Sequence, residues 1–200
     1  MYLPQLVKLI APFVDKLTIY NDILMRGRGE MDKEVKVINR WNLRRALKEQ
    51  FDNAEEDEPV LFCCDDMTTT EDWYDRFMKL HKECNHDHYQ FFTRLSRLFT
   101  TENMNRGYIK GTQGNGFYDA AFVMINRKGM TERIDVWFDR IGRHKYKKRN
   151  AHYDNIIQDF LIHYDYPWVL TIPTLFEHIG EISSLGHKIG RSPKYVGDTE

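Results

Sequence analysis

Residues 60–73 read VLFCCDDMTTTEDW, and the junction after Cys64 decides how the chain is read. The apolar or nearly apolar run Val60 to Cys64 drives straight into two adjacent aspartates, Asp65 and Asp66. The run is continuous rather than alternating and follows Pro59, which predicts a strand buried on both faces. In open α/β sheets ligands bind beyond the carboxyl ends of the strands, and the aspartates stand at such an end. Adjacent carboxylates repel more steeply as water is withdrawn, and a divalent cation is the common way to stabilise them. The competing reading is a helix cap, in which one Asp or Thr68 simply starts the next helix.

Outward from this junction, helical and extended patterns alternate. YLPQLVKLIAPF places Leu3, Leu6, Val7, Leu9 and Ile10 at helical spacing, and KLTIYND reads as a short β-branched strand. NRWNLRRALKEQF is an amphipathic helix with Trp41, Leu43, Ala46, Leu47 and Phe51 inward. TTTEDWYDRFMKLHKEC predicts a helix with Trp73, Phe77 and Leu80 on one face and its start among the threonines and acidic residues. HYQFFTRLSRLF reads as strand-rich, Ala120 to Ile125 as an apolar strand, and MTERIDVWFDRIG and YDNIIQDFLIHY as helices. PWVLTIPTLFEHIGEISSLG gives a short strand, Pro173 and a loop, and residues 190–200 a loosely held polar tail. This order predicts an α/β fold with a mostly parallel central sheet flanked by helices, as one domain over residues 1–200.

The composition narrows the classes of function. Lys and Arg number 29 against 30 Asp and Glu, a formal charge of −1, so no global field draws nucleic acid or membrane, and such a partner must be read from local clusters. Three cysteines, two of them adjacent, make no disulfide framework and point to a reducing cytoplasm, a host's if the chain is viral. No apolar run approaches the roughly 20 residues that span a bilayer, and MYLPQLVKLIAPFV lacks a basic leader with a small-residue cleavage site. The expectation is no anchor, no secretion signal and no membrane partner.

Three further stretches carry chemistry. In IPTLFEHIGEISSLG, His178 precedes a loop with Gly180, Ser183, Ser184 and Gly186. Neutral imidazole is a ready metal ligand, and Gly and Ser let backbone N–H and hydroxyl groups approach phosphate oxygens; an ordinary polar loop is the alternative. In KKRNAHYDNIIQDFL, Asp154 falls at the start of a helix, where the dipole keeps a carboxylate ionised and able to deprotonate a hydroxyl; an N-cap is the alternative. RIGRHKYKKRN gathers Arg140, Arg143, Lys145, Lys147, Lys148 and Arg149 around Tyr146 without an acidic residue, a density that follows a phosphate backbone or simply a solvated loop. CNHDHY offers Cys84, His86 and His88 but no second cluster with finger-type spacing, and reads as a polar turn. KGTQGNGF lacks the following Lys-Ser/Thr of a phosphate-cradling loop.

Taken together, KLTIYND, NRWNLRRALKEQF, VLFCCDDM, GNGFYDAAFVMINRKG, HYDNIIQDFL and IPTLFEHIGEISSLG resemble the GT-A class of nucleotide-sugar glycosyltransferases in order and spacing. The last stretch looks like that class's Pro-x-Leu-x-x-His-x-Gly-x-x-Ser-Ser segment and is the most specific. The resemblance runs from about residue 2 to 187.

It implies a GT-A-like (Rossmann-like) fold and transfer of a hexose or pentose from a nucleotide-diphosphate donor with Mn²⁺ or Mg²⁺. The Asp-x-Asp motif falls on Cys64, Asp65 and Asp66, so Asp66 and His178 would be metal ligands. Asp65, Gly114, Gly116, Ser183 and Ser184 would face the donor, and Asp154 would be the base toward the acceptor hydroxyl. Cys64 departs from the motif's first acidic residue, and the chain opens on a helix where members of the class open on a strand. Some bacteriophage enzymes of this class glycosylate hydroxymethylated bases in DNA, and Arg143, Lys145, Lys147, Lys148 and Arg149, just before Asp154, suit a DNA acceptor. A metal-dependent nuclease or phosphotransferase, or a non-catalytic DNA-binding module, are the alternatives.

Overall fold

The computed structural model describes residues 3–14, 18–21, 36–39, 43–64, 66–112, 121–142, 153–179 and 190–198. Its centre is a five-stranded sheet of β3 (Pro59–Cys63), β5 (His88–Gln90), β6 (Tyr108–Lys110), β7 (Ala121–Ile125) and β8 (Trp168–Thr171), in the order β3-β7-β5-β8-β6. β1 (Thr18–Asn21) and β2 (Lys36–Asn39) pair in parallel as a separate ribbon, and β4 (Met67–Thr69) pairs antiparallel with β9 (Phe176–His178) as another.

The expected α/β class stands, but the mostly parallel sheet is corrected. Within the central sheet, among the described residues, only β5 and β8 pair in parallel, while β3 with β7, β7 with β5, and β8 with β6 are antiparallel. The physical reason lies in what an unbroken apolar run reports. Ala121–Ile125 is buried at every position because helices cover both faces of the sheet, and burial on both faces says nothing of strand direction. The pairings still leave β3, β5 and β8 pointing the same way, with β7 reversed between the first two. Their carboxyl ends therefore share one edge of the sheet.

Helices close both faces. On one, Leu6 and Ile10 of α1 (Leu3–Ile10) and Trp73, Phe77 and Leu80 of α3 (Trp73–Cys84) pack against Tyr89, Ala121, Val123, Ile125 and Val169. On the other, Leu47 and Phe51 of α2 (Leu43–Asn53), Met130 and Ile134 of α5 (Met130–Val136), and Ile156, Ile157, Phe160 and Leu161 of α6 (Tyr153–His163) meet Val60, Phe122, Met124 and Trp168. Between β5 and β6 lies α4 (Thr101–Arg106), where Thr100 Oγ1 accepts the Asn103 N–H at 3.2 Å and Gly107 closes the helix at φ 81°. α5 continues as a π-helix, Trp137–Gly142. The inward positions follow the 3.6-residue period, and truncating Trp73 or Phe77 to Ala would cost about 3–5 kcal/mol.

Three local expectations change. The threonines after Asp66 do not open α3: Met67–Thr69 is strand β4, and the helix starts at Trp73 after Asp72. His88 is no turn residue but the first residue of β5, 1% exposed. Residues 190–198, expected as a loose tail, dock on the residues before β9. Tyr195 is buried and bridges Thr174 in parallel, the Thr174 N–H donates to the Lys194 carbonyl at 3.2 Å, and the Val196 N–H to the Thr174 carbonyl at 3.1 Å. Among the described residues, no helix is long and apolar enough to cross a membrane.

Candidate functional site

Two of the candidate residues, Asp66 and His178, meet at the shared carboxyl edge. From β3 the chain passes through the half-buried Cys63 and Cys64, with the Cys63 thiol 3.4 Å from the Cys64 carbonyl oxygen, and reaches Asp66. From β5 it passes to Phe91, whose N–H donates to the Ala121 carbonyl at 2.9 Å and whose carbonyl accepts from Leu175 and Phe176 at 3.1 and 3.2 Å. Phe91 thus ties the end of β5 to the segment that leads from β8 into β9. That segment ends at His178.

Strand pairing then sets the register. Met67 lies opposite His178, Thr68 opposite Glu177 and Thr69 opposite Phe176, and the Ile179 N–H donates to the Asp66 carbonyl at 2.9 Å. Thr69 Oγ1 adds a bond to the Leu175 carbonyl at 2.7 Å. Two three-residue strands therefore bring Asp66 and His178 side by side. The His178 imidazole packs edge-on against Phe92, ring centroids 5.1 Å apart, which fixes its plane.

The two side chains face each other at 3.3 Å, His178 Nδ1 to Asp66 Oδ2, with 15% and 25% side-chain exposure. The distance is that of an ion pair, but the alignment is not that of a hydrogen bond: Nδ1 is buried and has no hydrogen-bond partner among the described residues. A neutral imidazole nitrogen and a carboxylate oxygen each present a lone pair, and such a contact is favourable when a positive charge lies between them. An octahedral hard cation with ligands at about 2.1 Å sets neighbouring donors about 3.0 Å apart, close to what this pair offers. One carboxylate and one imidazole suit Mn²⁺ or Mg²⁺ that takes its remaining ligands from water and substrate phosphates. No group of three or more His, Cys, Asp and Glu side chains stands around a common point among the described residues, so the protein's described share is this pair.

The helix-cap reading of Asp66 and Thr68 is removed by geometry: Asp66 precedes β4, Thr68 lies within it, and a turn separates β4 from α3. Asp154 is the second residue of α6, the expected position in the first turn, although its side chain lies outside the described residues. Asp65, Gly114, Gly116, Ser183, Ser184, Arg143, Lys145, Lys147, Lys148 and Arg149 also lie outside the described residues.

Sequence reasoning missed a buried polar layer beneath this edge. Gln90, Thr93, Thr171 and Thr174 are all at most 2% exposed. The Gln90 amide nitrogen donates to the Phe92 carbonyl at 2.7 Å, and its Oε1 has no partner among the described residues. Glu177, 7% exposed, was missed as well, although a carboxylate inside the apolar LFEHIG was the signal.

A cleft of about 420 Å³ opens at the opposite edge, where β7 ends and β3 begins, lined by Lys48, Asp52, Asn126, Arg127, Gly129 and Glu132. Its charges have both signs and are partly spent, Lys48 on Asp135 and Arg127 on Asp57 and Asp87. An adjoining hollow of about 600 Å³ along α2 is larger still, whereas the juxtaposed ligand types mark the carboxyl edge. No protein-family model matches this chain, and no curated protein matches it significantly.

Proposed function

We propose that this chain is a divalent-metal-dependent glycosyltransferase, moving a sugar from a nucleotide-diphosphate donor to a hydroxyl acceptor. The observation that carries the reading is the Asp66–His178 pair, held at the carboxyl ends of β3, β5 and β8 by the β4–β9 ribbon. Three of the sheet's five described strands end at that edge, and the pair is a half-buried, oxygen- and nitrogen-donor seat.

In this reading Asp66 and His178 hold Mn²⁺ or Mg²⁺. The ion, when bound, supplies Lewis-acid stabilisation of the charge that develops on the leaving diphosphate. Asp65, Gly114, Gly116, Ser183 and Ser184 contact the donor. Asp154, in the first turn of α6, takes the proton of the acceptor hydroxyl, its ionised form favoured by the helix N-terminus. The run from Arg143 to Arg149 ends just before that helix and favours a polyanionic acceptor, a hydroxymethylated base in phage DNA. A metal-dependent nuclease or phosphotransferase would also use an aspartate and a histidine and is the alternative.

The test is incubation with a panel of nucleotide-diphosphate sugars, UDP-glucose included, and Mn²⁺ without acceptor, followed by assay of the free nucleotide diphosphate. Slow hydrolysis of one donor, absent in Asp66→Ala, is expected; no hydrolysis and no donor binding across the panel would sink the reading. For the acceptor, duplex DNA affinity should fall steeply between low and moderate salt, and a flat response would remove DNA.

A further inference from the structure

Glu177 sits between Phe176 and His178 on β9 and is 7% exposed. A carboxylate so far removed from water is unfavourable unless its oxygens accept hydrogen bonds. Its Oε1 accepts from the His178 N–H at 2.9 Å and the Ser192 N–H at 3.1 Å, and its Oε2 from the Ser192 N–H at 3.0 Å. Burial pushes the carboxyl group above its usual range; the Ser192 and His178 amides and the charge of Arg191 pull it back, and Asp198 opposes them.

The two amides belong to the two ends of one segment. His178 opens it beside Asp66, and Ser192 closes it where the chain returns to Thr174. Beyond Ser192 the return is held by Ser192 Oγ on the Lys194 carbonyl at 3.0 Å, by the Thr174–Tyr195 bridge, and by the Tyr195 N–H on Asp198 at 2.9 Å. Strand pairing alone needs none of this. Thr68, opposite Glu177, is only partly buried, and a Thr or Val at 177 would satisfy the same register without burying a charge.

We propose that Glu177 is a positioning residue: its carboxylate clasps the ends of the segment between His178 and Ser192, setting the backbone of His178 beside Asp66 and docking residues 190–198. The role of the clasp in cation binding rests on the metal reading of Asp66 and His178, while the clasp itself does not. One acceptor oxygen, Oε1, serves both amides. Glutamine therefore keeps most of the clasp and alanine removes it.

The experiment compares the full-length protein with Glu177→Ala and Glu177→Gln by amide hydrogen exchange in metal-free buffer, then by titration with Mn²⁺ alone. Exchange at Ser192 should quicken about tenfold or more in Glu177→Ala, as expected for loss of a bond to a buried carboxylate, while β7 amides stay protected. Mn²⁺ affinity should fall by a similar factor, and Glu177→Gln should restore both to within about threefold of the parent. Unchanged Ser192 exchange overturns the clasp. Faster exchange with unaltered Mn²⁺ affinity overturns the positioning of His178. If the parent binds no Mn²⁺, the metal reading fails and the exchange result still decides the clasp. Should Glu177→Ala lose β7 protection, Ser192→Pro deletes the far amide together with the hydroxyl bond to Lys194, and Ser192→Ala, which deletes only that hydroxyl bond, is its control. Exchange at Val196, bonded to Thr174, should then rise about tenfold, and no change there overturns the clasp.

Discussion

Nδ1 of His178 stands 3.3 Å from a carboxylate oxygen of Asp66, one residue ending β9 and the other following β3. The contact has the separation of an ion pair without the alignment of a hydrogen bond, and a cation bound there would use one lone pair from each group.

Asp66→Ala and His178→Ala should each weaken Mn²⁺ binding about a hundredfold or more, since even outer partners of a metal site cost 10–100-fold. The double variant should be little worse than either single one, because both remove the same site. Calorimetric titration of the three variants checks this. Additive losses would mean that the two side chains do not share one ion.

Residue type and position within the apolar pattern made Asp66 and His178 legible before any coordinates. The elements that bring them together were not. β4 and β9 are three residues each, too short to show a period, and Met67–Thr69 is followed by the acidic and polar residues that elsewhere open helices. Strand direction is hidden for a different reason: β7 is buried on both faces and carries no mark of which way it runs. Glu177 escaped notice because its role depends on Ser192, an amide supplied by a segment that reads as a polar tail. The helices were the easiest to read, since Trp73, Phe77 and Leu80 and the pair Leu47 and Phe51 repeat at the period that buries one face.

Gly111 is fixed by close approach rather than by φ. A Cβ there would lie 1.9 Å from Nε1 and 2.0 Å from Cε2 of Trp168, a core residue 4% exposed, while the Gly111 N–H donates to the Trp168 carbonyl at 2.7 Å. Gly111→Ala must displace the indole or break that bond. A loss of about 1–3 kcal/mol is expected, seen as a Tm lower by about 5 °C. An unchanged Tm would show that the indole has room to move.

Asp135 links α2 to α5: Lys48 and Arg44 both donate to it, and they hold its carboxyl group below the usual carboxylate range. A depressed folded pKa gives stability that is present above the ordinary carboxylate range and is lost as pH falls through the folded value. The side chain is 31% exposed, so screening limits the effect. Asp135→Asn should lower Tm by about 2 °C at neutral pH in low salt, and the difference should shrink in about 1 M salt and as pH falls below the ordinary carboxylate range. Thermal melts across both series test it, and a difference independent of salt would assign the loss to packing.

His88 is a buried pH-dependent group in the core. It is 1% exposed, packs edge-on against Tyr166 at 4.9 Å, and neither ring nitrogen has a hydrogen-bond partner among the described residues. Burial pushes its pKa down to about 4, helped by Arg127 and His86 and opposed by Asp87. The unfolded chain, with an ordinary imidazole near pH 6.5, binds the proton first, so stability falls as pH drops from about 6.5 to about 4. At about 1.4 kcal/mol per unit the window is worth roughly 3 kcal/mol. His88→Leu removes the titration and also the two unpaired nitrogens, so it should equal or exceed the parent's stability at pH 5 and flatten the curve above pH 4. Asp87 and Asp135 lose their stabilisation below the ordinary carboxylate range, and burial shifts Glu177 with the opposite sign. The difference between parent and variant therefore isolates His88. Denaturant unfolding at pH 4.5, 5.5 and 7 measures it, and parallel curves would place the imidazole in contact with water.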